Sequence, residues 1–407
     1  MNDLALYLPA PGGAAALLAD EIATLLACPR ERLAVQRSGV ALRADWDAVL
    51  RLNLHSRIAQ RVLLQLWEGP YGSEDDVYAA AAAVAWEDWF GPRQTIKVEA
   101  TAQRSPLRSV QFAALRVKDA VCDRLRQRCG ARPSVDTARP DVRLHLHLQQ
   151  RRLALLLDTS GEPLFKRGWR EDKGEAPLKE TLAAAVLAAT GWNAEAEEPL
   201  PLADPFCGSG TLVIEAAQRL LRLAPGRARR FAFEVLRPHD PARWKALRDE
   251  ARAAERPWPP GRGARIFGSD VSFRMVDFAR RNAARAGVAG VLELRGGDAL
   301  QRRPPTPTPG VLVLNPPYGE RIGAAGVAGA LGADAFWPQL AAHWKTHWGG
   351  WTAWILSPDA ELPQRLRLRA TRRVPLFNGP IECRLLRFEL QSRNAKNDRS
   401  DPTATAH

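Results

Sequence analysis

Two periods of apolar residues alternate along this chain, and their order predicts its elements. Residues 4–8 alternate as a short strand, whereas 13–26 spaces Leu17, Leu18, Ile22, Leu25 and Leu26 along one helical face. A strand at 39–43, a helix at 47–54 and a strand at 59–67 follow. Positions 77–89 and 109–128 read as helices with an extended stretch at 94–100 between them, and 142–149 and 152–158 alternate as two strands. The first part of the chain is therefore expected to be α+β, in two small units covering 1–56 and 57–158.

From position 200 the rhythm changes. Short apolar runs at 201–204, 265–270, 292–295 and 310–314 predict strands, 211–223 and 273–286 predict helices, and 351–356 and 382–390 supply further strands. This pattern predicts a doubly wound, Rossmann-like α/β domain over 176–392. Pro177 is expected to open an Ala-rich helix as an N1 proline, with Lys179 and Glu180 as ordinary first-turn residues. The Gly-rich, charged stretch within 159–175 reads as a linker, and 393–407 as a disordered tail. An Arg/Pro-rich insertion at 224–264, with Trp244 and Trp258, interrupts the sheet pattern; a substrate-facing loop and a solubilising excursion both fit it.

Composition narrows the functions. The chain has 407 residues, 46% of them hydrophobic, enough for two or three packed cores, which excludes disordered and fibrous classes. A formal charge of +13 and a pI near 10.1 imply attraction to a polyanion, most simply nucleic acid. Helix 109–128 concentrates Arg116, Lys118, Arg124 and Arg126, the candidate RNA contacts. Cys28, Cys122, Cys129, Cys207 and Cys383 are scattered and odd in number, so neither a disulfide framework nor a CxxC site is read and a reducing compartment is expected. His145 and His147 share one strand face without a third ligand nearby, so a strand surface and no metal are expected. The N-terminus lacks a basic n-region and no apolar run reaches ~18 residues, so the expectation is a cytoplasmic protein without a membrane span.

Two motifs carry chemistry. In LADPFCGSGTLVIEAA, Asp204 closes a strand and Gly208 and Gly210 open a helix, with Phe206 and Thr211 beside them. The third glycine of a dinucleotide fingerprint is missing, and the acid precedes the glycines, where it can meet a cationic amino-acid moiety. These features favour S-adenosyl-L-methionine as cofactor. Asp270, ending the second strand, is placed for ribose hydroxyls, and Asp298, after the third, for an adenine amino group; each also suits a cap. In VLVLNPPYGER, the turn Asn315-Pro316-Pro317-Tyr318 offers a carboxamide, a free carbonyl and an aromatic face at one strand end. That set can hold both hydrogens of a planar amine and stack the ring that bears it, and Asn315 also borders the cofactor.

With these residues in hand, the chain resembles the THUMP-containing RNA guanine-N2 methyltransferases of the RlmL type, which act on 23S ribosomal RNA. The likeness runs through nearly the whole length: the segment QFAALRVKDAVCDRLRQRCGARPSVDTARPDVRLHLHL, then LFKRGWRED, APLKETLAAAVL, DPFCGSGTLVIEAA, GSDVSFRMV, NPPYGER and NGPIECRLL, in the family's order. The resemblance implies a ferredoxin-like unit and a THUMP domain that bind RNA, followed by a class I methyltransferase domain. It implies that Asp204, Gly208 and Gly210 hold the donor's methionine part, Asp270 its ribose and Asp298 its adenine environment, while Asn315, Pro316 and Tyr318 grip guanine. The substrate it implies is 23S ribosomal RNA or a large-subunit precursor, with no obligatory protein partner. Some relatives carry a second methyltransferase domain, absent here, so a second modification is not expected. The alternatives are a THUMP-type tRNA guanine-N2 methyltransferase and, from another class, a noncatalytic RNA-binding ribosome assembly factor. The NPPY turn alone is shared with adenine-N6 and glutamine methyltransferases.

Overall fold

The computed structural model describes residues 3–172, 174, 177–317 and 333–391. The chain divides into two compact units, one of residues 1–10, 18–164 and 225–253, the other of 11–17, 165–224 and 254–407.

The first unit is built on one seven-stranded sheet. Its strands are β1 (Leu4–Pro9), β2 (Ala34–Gln36), β3 (Gly39–Ala44), β4 (Leu63–Pro70), β5 (Ile96–Gln103), β6 (Val142–Gln149) and β7 (Arg152–Asp158), in the order β2-β3-β1-β4-β7-β6-β5. The boundary expected at 56/57 therefore does not interrupt the sheet, because β4 pairs with β1 on one side and β7 on the other. Alternation on β6 sends Val142, Leu144, Leu146 and Leu148 into the core. Helix α1 (Ala15–Leu25) is followed by α2 (Trp46–His55), whose N-cap is Asp45, and by α3 (Glu74–Ala83), closed by a Ser73/Asp76 capping box. Helix α4 (Val110–Cys129) starts at the Ser109 cap and ends at Gly130 in the left-handed conformation.

His145 is not a plain strand-surface residue. It is 8% exposed, and its Nε2 lies 3.4 Å from Asp158 and its Nδ1 3.8 Å from Glu99.

Most of the insertion, residues 225–253, packs with this first unit. Phe231 and Phe233 stack at 5.2 Å, Trp244 packs edge-on against both, and Gly226 N–H donates to Leu54 O at 2.9 Å. Helix α7 (Pro241–Ala253) lies on α2, with Arg243 held by Asp47 at 2.6 Å. The apolar cluster gives this excursion a buried role that a solubilising loop would lack.

The second unit is the expected doubly wound domain. Strands β8 (Leu202–Asp204), β9 (Ile266–Asp270), β10 (Leu292–Gly296), β11 (Val311–Leu314), β12 (Thr352–Ser357), β13 (Arg372–Asn378) and β14 (Ile381–Glu389) follow the order β10-β9-β8-β11-β12-β14-β13. The first five are parallel; β14 runs antiparallel to β12 and β13. Helices α5 (Glu180–Thr190), α6 (Thr211–Leu220), α8 (Phe273–Ala286), α9 (Ala333–His347) and α10 (Leu362–Leu366) accompany the sheet. Helix α5 starts at Glu180 with Lys179 as N-cap, three residues later than the proline signal predicts. Phe336, Trp337, Trp344, Trp348 and Trp351 fill the core against β11, β12 and β14. No helix among the described residues is long and apolar enough to cross a membrane. The expected tail at 393–407 and Tyr318 lie outside the described residues.

Candidate active site at the carboxyl edge of the second sheet

The chain's order changes direction at β8, where β9 and β10 lie on one side and β11 and β12 on the other; open α/β sheets bind ligands at such a switch point. Register fixes which side chains meet there. Asp204 pairs with Gly268, Asp270 with Gly296, and Leu312 with Ala203. Read across the edge, Asp298, Asp270, Asp204 and Asn315 stand at the ends of four neighbouring strands, in that order.

Asp204 is 2% exposed and accepts the Phe206 N–H at 2.9 Å. Burial pushes its carboxyl up to about 8, the Phe206 hydrogen bond opposes this and Asp270 adds to it; no positive charge offsets it among the described residues. The turn that follows places Gly208 at φ 53° and Gly210 at φ 92°, conformations natural to glycine. Around Gly208 a Cβ would meet nothing within 4 Å, so the backbone there is open to close approach. Asp270 binds this turn directly: one carboxylate oxygen accepts Gly208 N–H at 3.0 Å and the other accepts Ser272 N–H at 2.9 Å. Burial raises its pKa, and those two bonds pull against the rise. Asp298, half-buried, caps its own turn by accepting Leu300 N–H at 2.9 Å. Phe206 packs edge-on against Phe336 at 6.1 Å. Asn315 is half-buried, Pro316 buried and Pro317 exposed.

The stretch 165–172, expected to be linker, instead locks this turn. Arg170 donates to Glu180 at 2.7 Å, to the Thr211 hydroxyl at 2.7 Å and to the Ser209 hydroxyl at 3.4 Å, while Asn282 donates to Asp172 O at 2.8 Å and Ser209 O at 3.1 Å. Arg281 and Arg285 hold Asp172 down to about 2. Thr211, expected at the cofactor, is thus engaged by Arg170. The missed signal was Trp169, 3% exposed: an aromatic in a Gly-rich stretch points to packing. The expected RNA contacts all lie on α4. Arg116 meets Asp75 at 2.7 Å, Lys118 meets Asp119 at 2.7 Å, Arg124 is held by Glu87 and Ala82 O, and Arg126 is exposed.

A buried carboxylate without a counter-charge suits a cationic ligand, and the donor expected from the motifs carries an ammonium and a sulfonium. The residues present therefore fit that group. Over residues 167–387 the chain matches the RMKL-like methyltransferase domain family. It belongs to that family. Residues 71–158 match the THUMP domain and 5–63 the RlmL ferredoxin-like domain. Among its relatives is the ribosomal RNA large subunit methyltransferase K/L of Shewanella sp. (strain MR-4), 36% identical over 362 residues, 89% of this chain and 50% of that protein. The same-named protein of Psychromonas ingrahamii is 37% identical over 390 residues, 95% of this chain and 50% of its own. The chain spans about half the length of these curated relatives. Its fold is similar to SMU.472 crystallised with SAH (TM-score 0.82, 26% identity, 96% and 99% of the two chains). It is also similar to a predicted N6-adenine-specific DNA methylase from Listeria monocytogenes (TM-score 0.82, 27% identity, 95% and 96%). These findings support S-adenosyl-L-methionine as the cofactor of this RMKL-like chain.

Proposed function

We propose that the protein methylates the exocyclic N2 amine of a guanine in 23S ribosomal RNA, the substrate being the free RNA or a large-subunit precursor. What supports this reading above all is the row Asp298, Asp270, Asp204, Asn315 across four adjacent strand ends. Its order follows the parts of an adenosyl-methionine donor and ends at an amide fit for an amine. The curated relatives are named for large-subunit ribosomal RNA, which favours that RNA over tRNA.

When bound, S-adenosyl-L-methionine supplies an electrophilic methyl group on a sulfonium. Asp204 pairs with the donor's ammonium, Asp270 accepts from ribose hydroxyls through its remaining lone pairs, and Asp298 accepts from the adenine amine. The exocyclic amine of guanine is a weak nucleophile because its lone pair is shared with the ring. The Asn315 side-chain oxygen and the Pro316 carbonyl accept its two hydrogens and orient the nitrogen lone pair for in-line transfer. Pro316 contributes a fixed φ and a carbonyl oxygen as acceptor, and Tyr318 stacks on a base taken out of its helix. The methylated amine, briefly cationic, is acidic enough to lose its proton to water, so no buried base is needed. The test is nucleoside mass spectrometry of large-subunit RNA and tRNA incubated with the protein and labelled donor. N2-methylguanosine in the large-subunit RNA is expected; N6-methyladenosine, or N2-methylguanosine in tRNA alone, would replace this reading.

A further inference from the structure

The methyltransferase unit carries a second concentration of arginine, far along the sheet from the site just described. Residues 365–371 read Arg-Leu-Arg-Leu-Arg-Ala-Thr, and β13 then begins with Arg372-Arg373. Leu366, Leu368 and Ala370 pack into the core beneath, so the alternation leaves Arg367 and Arg369 exposed. Arg372 and Arg373 are exposed on β13, the edge strand. Among the described residues no carboxylate lies within ion-pair distance of these four arginines. That differs from α4, where most of the cations are already matched by acids.

The register adds a feature that solvation does not explain. Arg372 lies directly across from Arg387 of β14, and Arg387 in turn across from Trp354 of β12, its guanidinium 6.0 Å from the indole centroid. Like charges directly opposite one another on a sheet are destabilising; Glu389, 3.3 Å from Arg387, offsets part of this, while Arg372 has no such acid among the described residues. Together with Trp192, Asn193, Thr352 and Glu198, whose carboxylate is held by Arg262 and Arg265, the residues Arg372, Arg387 and Trp354 line a pocket of about 310 Å³. Protection of the edge against strand addition does not require the cluster either. Pro375 interrupts the edge, Phe377 N–H donates to Gly12 O at 2.9 Å, and Arg367 and Arg369 precede the strand altogether.

We propose that the arginine-lined edge formed by Arg367, Arg369, Arg372 and Arg373, with the Arg387 pocket behind it, is a phosphate-binding surface for the RNA backbone, distinct from the THUMP domain. Planar guanidinium forks match phosphate oxygens two at a time, and an RNA strand laid on this edge relieves the repulsion between Arg372 and Arg387. The contacts are to phosphate, so they position RNA without reading its sequence. This inference rests on RNA being the substrate.

The experiment compares the full chain with its Arg367→Gln/Arg369→Gln/Arg372→Gln/Arg373→Gln variant. Each is titrated with a mixed-sequence single-stranded RNA and with a large-subunit RNA transcript, between about 50 and 200 mM salt. At ~0.7 per phosphate lost, the slope of log K against log salt should flatten by about 2–3 on single-stranded RNA. Donor affinity and melting temperature should stay at parental values, and four Arg→Lys changes should retain most of the slope. If the parent binds RNA and the Gln variant keeps its slope, this surface is overturned while the RNA reading stands. If the parent binds neither RNA, the RNA reading itself falls. Loss of co-sedimentation with large-subunit particles at an unchanged RNA slope would assign the edge to a protein contact and also overturn the proposal.

Discussion

Asp158 and Asp204 each close a strand and are almost completely buried, 0% and 2% exposed, yet their surroundings treat them in opposite ways. In the first unit, burial pushes the Asp158 carboxyl up, but a hydrogen bond from His145, the charge of Arg61 and the Ser160 N–H together leave it below its ordinary value. In the second unit, burial pushes Asp204 up to about 8, and one backbone hydrogen bond does not reverse it. Burial of an acid is thus no mark of function by itself. An acid buried without compensation, at the carboxyl edge of parallel strands, is such a mark, because folding alone gives it no reason to be there.

The largest expected effect tests whether the donor and acceptor halves of that edge are separable. Asn315→Ala should lower single-turnover methylation about 10²–10³-fold, the range seen when one oriented polar contact to a reacting group is lost. Calorimetric donor affinity should change by less than about twofold, since the carboxamide is assigned to the acceptor. A parallel loss of donor binding would show that Asn315 and Asp204 act on the same ligand.

Next come the two aspartates themselves. Asp158→Ala removes the carboxylate that faces the buried His145 and the half-buried Arg61, and should cost the first unit roughly 3 kcal/mol, read as an earlier urea transition, with donor affinity unchanged. Asp204→Asn should do the reverse, weakening the donor about 10–100-fold, as for a lost charged hydrogen bond, while the unliganded protein melts no lower than the parent. If Asp204→Asn destabilised the empty protein as Asp158→Ala does, the contrast would be gone.

Titration should separate them as well. The Asp204 pKa is raised in the fold, so its stabilising contribution is present below about pH 4 and is lost as pH rises towards about 8. Asp158 is lowered, so its contribution is present above the ordinary carboxylate range and is lost as pH falls through the depressed value. Acid should therefore weaken the first unit selectively. Binding of a cationic donor requires ionised Asp204, so affinity should rise by up to about tenfold per pH unit below about pH 7.5, where an α-amino group is still protonated. Calorimetry in two buffers of different ionisation heat should register a released proton; flat affinity over that range would detach Asp204 from the ammonium.

Much of this was legible in the sequence because the signals were local. Strands β6, β7 and helix α8 fall where their periodicity places them, Asp204 and Asp270 are the last residues of β8 and β9, and Asp298 lies in the turn after β10. What was not legible depended on partners distant in the chain. The segment Arg372–Asn378 lacks a strand signal because Pro375 and adjacent arginines are tolerated only on an edge, which β14 creates. The buried role of Phe231 and Trp244 depends on a sheet encoded more than sixty residues earlier, and Arg170 reads as linker until Glu180 and Thr211 are brought to it. The double duty of Asp270, cap of the glycine turn and candidate ribose ligand, is likewise a matter of register.

The smallest effect is expected at the far end of the same edge, and it tests whether compensation rather than charge decides importance. Asp298 is half-buried, and its carboxylate already caps the turn at Leu300. Water can replace much of what the adenine amine would offer, so Asp298→Asn should lose only about 0.5–1.5 kcal/mol, a three- to tenfold weaker donor. The Asn side-chain oxygen still accepts the Leu300 N–H, which keeps the turn and isolates the ligand contribution. Competition with adenosine sharpens the result: the variant should lose affinity for adenosine and donor by the same factor, whereas Asp204→Asn should weaken the donor alone. If Asp298→Asn matched Asp204→Asn in size, negative charge along the edge would matter irrespective of burial, and the distinction drawn from Asp158 and Asp204 would not hold.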